Sequence, residues 1–330
     1  HLQLDRMTRP VRAPRISAQS IAAARARIHP EFLDSPQVED EALSRATGAR
    51  LLCKIEIQNP VGCFKGRGAD SFIGTLPAHV QTLVTASAGN FGLALVHAAK
   101  RRGIAVTVYA AETASAAKLA RIRSAGGTVE LRGQDFDEAK EHARAVAARM
   151  NLTFVEDGQD PAIASGAGTI AMELTKFPQP IGTMLVPLGN GALLAGIGCW
   201  LRAHSPRTQI VGICAEGAPA MAESWRAHRA VSTARVNTIA DGIAVRVPIA
   251  EALADLDGVV DDVVLVSDDA IKQALHLVHQ HLHLVVEPAA VTGVAALLSH
   301  ASLAQGLVCT PITGGNATME QLREWTAPIH

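Results

Sequence analysis

The 330-residue chain lacks an excess of charge of either sign, because 30 lysines and arginines stand against 31 aspartates and glutamates. Nucleic acids and anionic membranes attract basic surfaces, so neither is predicted as the main partner. Apolar runs of the ~18 residues that a membrane helix needs do not occur in the sequence. The first residues lack the charged-then-apolar pattern of a signal peptide, so the cytoplasm is the expected compartment.

Cysteines and aromatic residues are sparse as well. The five cysteines are widely spaced and form no CxxC pair, so neither a disulfide framework nor a zinc site is predicted. Aromatic residues make up 3% of the chain and hydrophobic residues 48%, which leaves Ala, Val, Leu and Ile to build the core. This length and composition predict a globular protein of about two domains.

Short apolar runs alternate with alanine-rich helical segments along most of the chain. The predicted strands are 51–57, 80–85, 105–110, 128–131, 183–187, 209–215, 263–267 and 307–311. The predicted helices are 17–29, 65–75, 91–102, 115–125, 136–149, 165–176, a helix that ends near 203, 270–281 and 288–298. Strand, turn and helix in this order are typical of βαβ units, so the sequence predicts an α/β fold with parallel sheets.

Three glycine-rich turns follow predicted strands: Ser87-Ala-Gly-Asn90, Gly189-Asn-Gly-Ala-Leu193 and Thr313-Gly-Gly-Asn316. Ligands of open α/β sheets bind at the carboxyl ends of the strands, and glycine lets the backbone approach a ligand closely. The turn at 189–193 is therefore a candidate phosphate site, and the turn at 87–90 suits a carboxylate or a phenolate oxygen. A tight turn or a helix cap needed only for folding explains each segment equally well.

Lys65 lies in the run Asn59-Pro-Val-Gly-Cys-Phe-Lys-Gly-Arg-Gly-Ala69, at a predicted strand-to-helix turn. A lysine that is partly withdrawn from water favours its neutral amine, which can form a Schiff base with an aldehyde. Most lysines are solvated surface charges, so Lys65 alone indicates little. The segments that accompany it carry the interpretation.

Taken together, segments from about Lys54 to Asn316 resemble the fold-type II pyridoxal-phosphate enzymes, and within them the serine/threonine dehydratase (ammonia-lyase) family. The resemblance rests on eight groups of segments in the expected order: 54–58 with 64–69, 87–90, 112–114 with Lys118, 166–171 with Glu173, 189–193, 240–245, Glu287-Pro288 and 313–316. It implies two open parallel-sheet α/β domains of the tryptophan synthase β type. Residues 1–78 and 159–330 would form the large domain that binds the cofactor, and 79–158 a small domain that carries the substrate-carboxylate loop.

The resemblance also implies how individual residues meet the cofactor, pyridoxal 5′-phosphate. Lys65 would form the Schiff base and later move the substrate Cα proton. Phe64 would pack near the ring, Gly242 would lie beside it, and Asn90 would bind the 3′-oxygen. Thr313 would face the pyridine nitrogen. A hydroxyl there leaves that nitrogen largely unprotonated, which favours prompt loss of a β-substituent.

Two loops would bind the charged groups. Ser87, Ala88 and Gly89 would hold the substrate carboxylate. The phosphate would be held by Gly189, Asn190, Gly191, Ala192 and Leu193. The implied reaction is dehydration and deamination of threonine, serine or a related β-hydroxy amino acid to a 2-oxo acid and ammonia, in a homodimer.

Several residues depart from the pattern of close dehydratases and leave the substrate side chain open, hydroxyaspartate included. Asn190 and Ala192 interrupt a run that is usually four glycines, and Phe91 replaces a usual His. The segment 155–161 replaces a usual His-Pro-Phe/Tyr-Asp sequence, and Ala167 a usual Gln.

Other activities of the same fold remain as alternatives. These are β-replacement of the cysteine-synthase type, racemisation, and binding of the cofactor without catalysis. Ala88 stands where racemases carry a second acid, which disfavours racemisation. Ala222 stands where metal-dependent relatives carry an Asp, so no divalent metal is predicted, although Glu216 leaves a monovalent ion open. Glu287, before Pro288, is expected to cap the following helix, although the resemblance also places a Glu of this segment near the cofactor ring.

Overall fold

Two sheets organise the chain in the computed structural model, which describes residues 13–327. The strands are β1 Gln37–Glu39, β2 Arg50–Ile55, β3 Thr82–Thr85, β4 Ala105–Ala110, β5 Thr128–Leu131, β6 Thr153–Val155, β7 Ile181–Pro187, β8 Gln209–Ala215, β9 Asp262–Val266 and β10 Leu307–Ile312. One sheet has the order β1-β2-β10-β7-β8-β9, and the other has the order β5-β4-β3-β6. Neighbouring strands pair in parallel except β1 and β2, which pair antiparallel.

Helices connect and cover the strands. They are α1 Ala18–Arg25, α2 Glu41–Thr47, α3 Lys65–Ile73, α4 Asn90–Lys100, α5 Ala116–Ser124, α6 Phe136–Arg149, α7 Pro161–Leu174, α8 Ala192–His204, α9 Ala220–Ala227, α10 Ala250–Ala254, α11 Asp268–Leu282, α12 Thr292–Ser299 and α13 Met319–Thr326. Short 3-10 turns occupy Pro30–Phe32, Asp241–Ile243, Pro288–Val291 and Ala301–Leu303. Within residues 13–327, none of these helices is long and apolar enough to cross a membrane.

Glycines of α7 and α8 let three helices pack unusually close together. A Cβ on Gly166 of α7 would lie 2.4 Å from the carbonyl oxygen of Arg67 in α3. A Cβ on Gly196 of α8 would lie 2.1 Å from the carbonyl oxygen of Ala164 in α7. Side chains at these positions would push the helices apart. This packing fixes the first residues of α3 and α8, which both border the large cavity of the molecule, relative to each other.

The predicted strands and most predicted helices are confirmed to within a few residues. The helix expected at 165 begins instead at Pro161, because the Asp160 side chain accepts a hydrogen bond from the Ala162 N–H at 2.8 Å. The helix expected over 288–298 is divided into a 3-10 turn and α12. The sequence did not predict β1, α2, β6 or α13. All four strands of the smaller sheet lie between residues 82 and 155, and the domain boundaries at 79 and 158 stay a prediction.

Candidate active site

A cavity of about 840 Å³ lies where the carboxyl ends of both sheets meet. The turns that follow β3, β6, β7 and β10 line it, together with the first residue of α3. Carboxyl ends of parallel strands are the usual place for a ligand in α/β proteins. Every predicted site residue except Ala192 lines this cavity.

Ala192 departs from the prediction for a local reason. Its backbone N–H donates to the Asn190 side-chain oxygen at 3.0 Å, so this N–H already has a partner. The N–H groups of Gly189, Asn190 and Gly191 donate to no other group of residues 13–327. Free amides beside the start of α8 suit an anion, which is consistent with the predicted phosphate site at this turn except at Ala192.

The geometry of this turn requires its glycines. Gly191 has φ 109°, a conformation that residues with a side chain rarely adopt. A Cβ on Gly189 would lie 3.2 Å from the Gly242 carbonyl oxygen, across the cavity wall. Gly189 and Gly242 therefore leave this part of the cavity wall without side chains, which would let a flat group lie against the backbone.

Lys65 projects into the cavity from the first turn of α3. Its Nζ donates to Asp157 Oδ2 and lies 4.7 Å from the centre of the Phe64 ring. The preceding turn is held in place by Asn59, whose Nδ2 donates to the carbonyl oxygen of Cys63 at 3.0 Å. The Phe64 N–H donates to the Thr313 carbonyl oxygen, also at 3.0 Å. The lysine is thus presented by a turn that is tied to the loop after β10.

The loop at 87–90 presents one hydroxyl, that of Ser87, and one carboxamide, that of Asn90, each with partners inside the protein. Ser87 Oγ accepts from the Gly92 N–H at 3.2 Å, so this hydroxyl does support the start of α4. Asn90 caps nothing, since the N-terminal cap of α4 is Gly89 and makes no side-chain hydrogen bond. The Asn90 carboxamide instead donates to Glu287 at 3.0 Å and accepts from Asn316 Nδ2 at 2.8 Å.

The expectation that Glu287 caps the following helix is wrong. No side-chain hydrogen bond caps the turn Pro288–Val291. The Glu287 carboxylate accepts from Asn90 Nδ2 and from the Asn316 N–H, because the loops after β3 and β10 bring both donors to it. Burial raises the pKa of Glu287, and the hydrogen bonds from Asn90 and Asn316 only partly oppose this. A Cβ on Gly314 would lie 2.0 Å from Glu287 Oε2, so any side chain there would displace the Glu287 carboxylate.

Ion pairs cross the outer part of the cavity. Lys118 of α5 pairs with Asp241, and Arg246 pairs with Asp137 of α6. The mouth also contains Arg121 and Arg235, for which no ion pair occurs within residues 13–327. Charged side chains of both signs therefore surround the entrance.

Comparison with known proteins identifies the family to which the chain belongs. Residues 28–314 match the family of pyridoxal-phosphate dependent enzymes. The chain belongs to that family. One similar protein is the L-threonine ammonia-lyase of Thermotoga maritima. The two sequences are 32% identical over 282 residues, which cover 85% of this chain and 70% of that protein.

Solved structures of related enzymes share the fold. The processed form of threonine deaminase isoform 2 from Solanum lycopersicum has 26% identity and a TM-score of 0.87, over 96% of this chain and 93% of that one. Maize serine racemase has 27% identity and a TM-score of 0.88, over 94% of this chain and 96% of that one. These likenesses confirm the predicted family, the fold-type II architecture and pyridoxal phosphate as the cofactor.

One residue at the centre of the cavity was not predicted. Asp157 lies two residues after the end of β6 and reaches Lys65 from the smaller sheet. The sequence marked 155–161 as a departure from related enzymes but gave Asp157 no role. A carboxylate at a strand end was the available signal, and it was missed because the three-residue β6 was not predicted.

Proposed function

We propose that the protein is a pyridoxal-phosphate dependent ammonia-lyase that converts a β-hydroxy L-amino acid, such as threonine or serine, to a 2-oxo acid and ammonia. The observation that carries this proposal is the position of Lys65. Its amine lies in one cavity with the free amides at 189–191 and with the loop at 87–90. An amine between two anion sites suits an amino acid that must be held by its carboxylate beside a phosphate-bearing cofactor.

The bound cofactor supplies electron withdrawal that weakens the bonds at the substrate Cα. Lys65 would move the proton at Cα, and the presence of its amine in one cavity with the loop at 87–90 supports this role. Ser87 and the backbone at 88–89 would bind the substrate carboxylate. Asn90 would contact the ring 3′-oxygen, and its hydrogen bonds with Glu287 and Asn316, which hold the carboxamide in one orientation, support this role.

Elimination is favoured over related reactions by two side chains. Thr313, rather than a carboxylate, stands at the position predicted to face the pyridine nitrogen. Ala88 offers no second acid, which racemisation would need on the opposite face of the ring. The related threonine ammonia-lyase carries out a reaction of the proposed type, according to its name.

Product analysis tests the proposal. The purified holoenzyme is given L-threonine, L-serine and 3-hydroxyaspartate, and 2-oxo acid, ammonia and the chirality of the remaining substrate are measured. We expect 2-oxo acid and ammonia without any added nucleophile. Turnover that requires sulfide would show β-replacement instead. Inversion without ammonia release would show a racemase, and a coloured protein that turns over none of these substrates would contradict the proposal.

Homodimer formation and a cytoplasmic location are proposed on the resemblance to the dehydratase family alone. Light scattering of the purified protein and cell fractionation test them separately from the reaction.

A further inference from the structure

Two adjacent acidic residues follow β6, and their surroundings differ. The Glu156 carboxylate lies 3.1 Å from Lys140 Nζ and 2.9 Å from the Arg144 guanidinium. Both of its oxygens therefore have a cationic partner. The side chain of Asp157 is 11% exposed and has one cation within 4 Å among the described residues, Lys65.

The Asp157 carboxylate has acceptor capacity that the protein leaves unused. Oδ2 accepts from Lys65 Nζ. Oδ1 is buried and accepts from no group of residues 13–327. Ionised carboxylates accept several hydrogen bonds, and a buried acceptor without a partner is unfavourable. A hydrogen-bond donor is therefore missing beside the amine of Lys65.

The charges near this position are negative. Asp157 and Glu287 both line the cavity, and the Asp157 carboxylate is the one in contact with Lys65. Of the cations at the cavity mouth, Lys118 pairs with Asp241 and Arg246 pairs with Asp137, whereas Arg121 and Arg235 have no ion pair within residues 13–327; none of the four lies within 4 Å of the Asp157 carboxylate. A substrate side chain that carried a second carboxylate would meet Asp157 with no free cation beside it.

From these contacts we infer that Asp157 is the specificity-determining residue for the substrate side chain, an inference that rests on the proposed ammonia-lyase function. Its carboxylate accepts a hydrogen bond from a donor on the β-carbon, the hydroxyl of a serine-like or threonine-like substrate. The same negative charge disfavours an amino acid with a β-carboxylate, so hydroxyaspartate is excluded as the preferred substrate.

Equilibrium binding tests this inference without turnover. The L enantiomer of 2-methylserine and 2-aminoisobutyrate both lack the Cα proton, so neither can undergo elimination, and they differ only in the β-hydroxyl. Each is titrated into the holoenzyme while the visible absorbance of the cofactor is followed. We expect 2-methylserine to bind about tenfold more tightly than 2-aminoisobutyrate, the value for one hydrogen bond to a charged group. In Asp157→Ala this ratio should fall to about one.

Two further variants separate hydrogen bonding from charge. Asp157→Asn keeps the size and an acceptor oxygen, so part of the preference for 2-methylserine should remain. Binding of 2-methylaspartate, which carries a β-carboxylate, should tighten about tenfold because the repulsion is removed. Glu156→Gln is the matched control: it makes the same charge change at the neighbouring residue, whose carboxylate contacts Lys140 and Arg144. It should leave both results within about twofold.

A kinetic comparison covers the case in which the added methyl group prevents binding. The kcat/KM for L-serine is compared with that for β-chloro-L-alanine, whose leaving group donates no hydrogen bond. Asp157→Ala should lower the value for serine at least about tenfold more than the value for the chloro compound. If neither this ratio nor the binding ratio changes, the inference is wrong while the ammonia-lyase proposal stands. If wild-type protein releases no 2-oxo acid but the binding ratio depends on Asp157, the proposed function fails instead.

Discussion

Lys65 and Arg67, the two basic residues of helix α3 (Lys65–Ile73), lie in different surroundings. Arg67 belongs to a buried network with Glu56, Glu173 and Lys54, in which each cation lies within 3 Å of a carboxylate oxygen. Lys65, two residues earlier, belongs to a cavity pair with Asp157, which retains an oxygen without a partner among the described residues. Two residues correspond to about 200° around a helix, so the two side chains leave α3 on opposite sides.

The difference between the buried network and the cavity pair indicates what each does. Arg67 donates to Glu56, Glu173, Thr169 and the Ser35 hydroxyl, which satisfies its guanidinium within the protein. No ligand could improve these contacts, so the buried network serves folding. The cavity pair has unused acceptor capacity next to a reactive amine, as expected of a group that meets a ligand.

Loss of the cavity lysine should have the largest effect. Lys65→Ala removes the amine that would bond to the cofactor, so the visible absorbance of the reconstituted protein should disappear. Turnover should fall at least about 10³-fold, because the same group is proposed to move the Cα proton. Absorbance spectra and 2-oxo acid release measure both effects. Lys100→Ala, at the exposed end of α4, is the control and should change neither; a visible band of full intensity in Lys65→Ala would contradict the assignment.

Breaking the buried network should mainly affect stability. Arg67→Met leaves the carboxylates of Glu56 and Glu173 buried without their main partner, and should lower the free energy of unfolding by about 3–5 kcal/mol. Urea unfolding followed by circular dichroism measures the change. The control is Arg45→Ala, whose exposed partner is Glu41 in the same helix, and it should cost less than about 0.5 kcal/mol. Equal losses in the two variants would show that the network is not a stabilising unit.

The buried network should also make stability depend on pH in a defined range. Burial by itself would raise the pKa of Glu173, but hydrogen bonds and charges from Arg67 and Lys54 outweigh it and lower the pKa from 4.5 to about 2. A carboxylate with a lowered pKa contributes stability above its unfolded value and loses it as the pH falls. The contribution of about 3 kcal/mol should therefore be complete above about pH 5 and decline between about pH 4.5 and 2.

Glu173→Gln tests that range directly. The free energies of unfolding of wild type and variant are measured from about pH 6 to pH 3. Their difference should be largest at the upper end and should shrink steadily below about pH 4.5, because protonation makes the wild-type carboxyl neutral as well. A difference that stays constant over this range would contradict the lowered pKa of Glu173.

The sequence predicted where the cavity lies, but it did not predict the ion pairs inside it. Glycine-rich turns after apolar strands placed 87–90, 189–193 and 313–316 at one edge, because carboxyl ends of parallel strands converge there. The same pattern placed Lys65 at a strand-to-helix turn, but its role came from the resemblance to the dehydratase family. Local sequence signals of this kind depend on residues within one turn of each other, which is why they were sufficient.

Partners that come from distant segments gave no such signal. Arg67 in the run Lys-Gly-Arg has the composition of an exposed turn, yet its partner Glu173 lies 106 residues away in sequence. Glu287 was expected to cap a helix, but the folded chain brings Asn90 and Asn316 to its carboxylate. Asp157 follows a strand of three residues, too short for an alternating pattern to be recognised. In all three cases the partner of the charged side chain is set by tertiary contacts between segments that are distant in sequence.

The smallest effect is expected from the ion pairs at the cavity mouth, which belong to neither cluster. Lys118 and Asp241 join opposite walls, but their side chains are 38% and 57% exposed, so water and salt weaken their attraction. Lys118→Ala should lower kcat/KM less than about threefold. About 0.5 M salt should lower the kcat/KM of the wild type by a similar factor, and that of the variant hardly at all. Arg132→Ala, which breaks the exposed pair with Glu130, is the matched control. If Lys118→Ala lowered kcat/KM about tenfold and salt did not reproduce this loss, the Lys118–Asp241 pair would have to form before the substrate reacts. The pair would then be part of the reaction site, like Lys65 and Asp157, and not an ordinary surface ion pair.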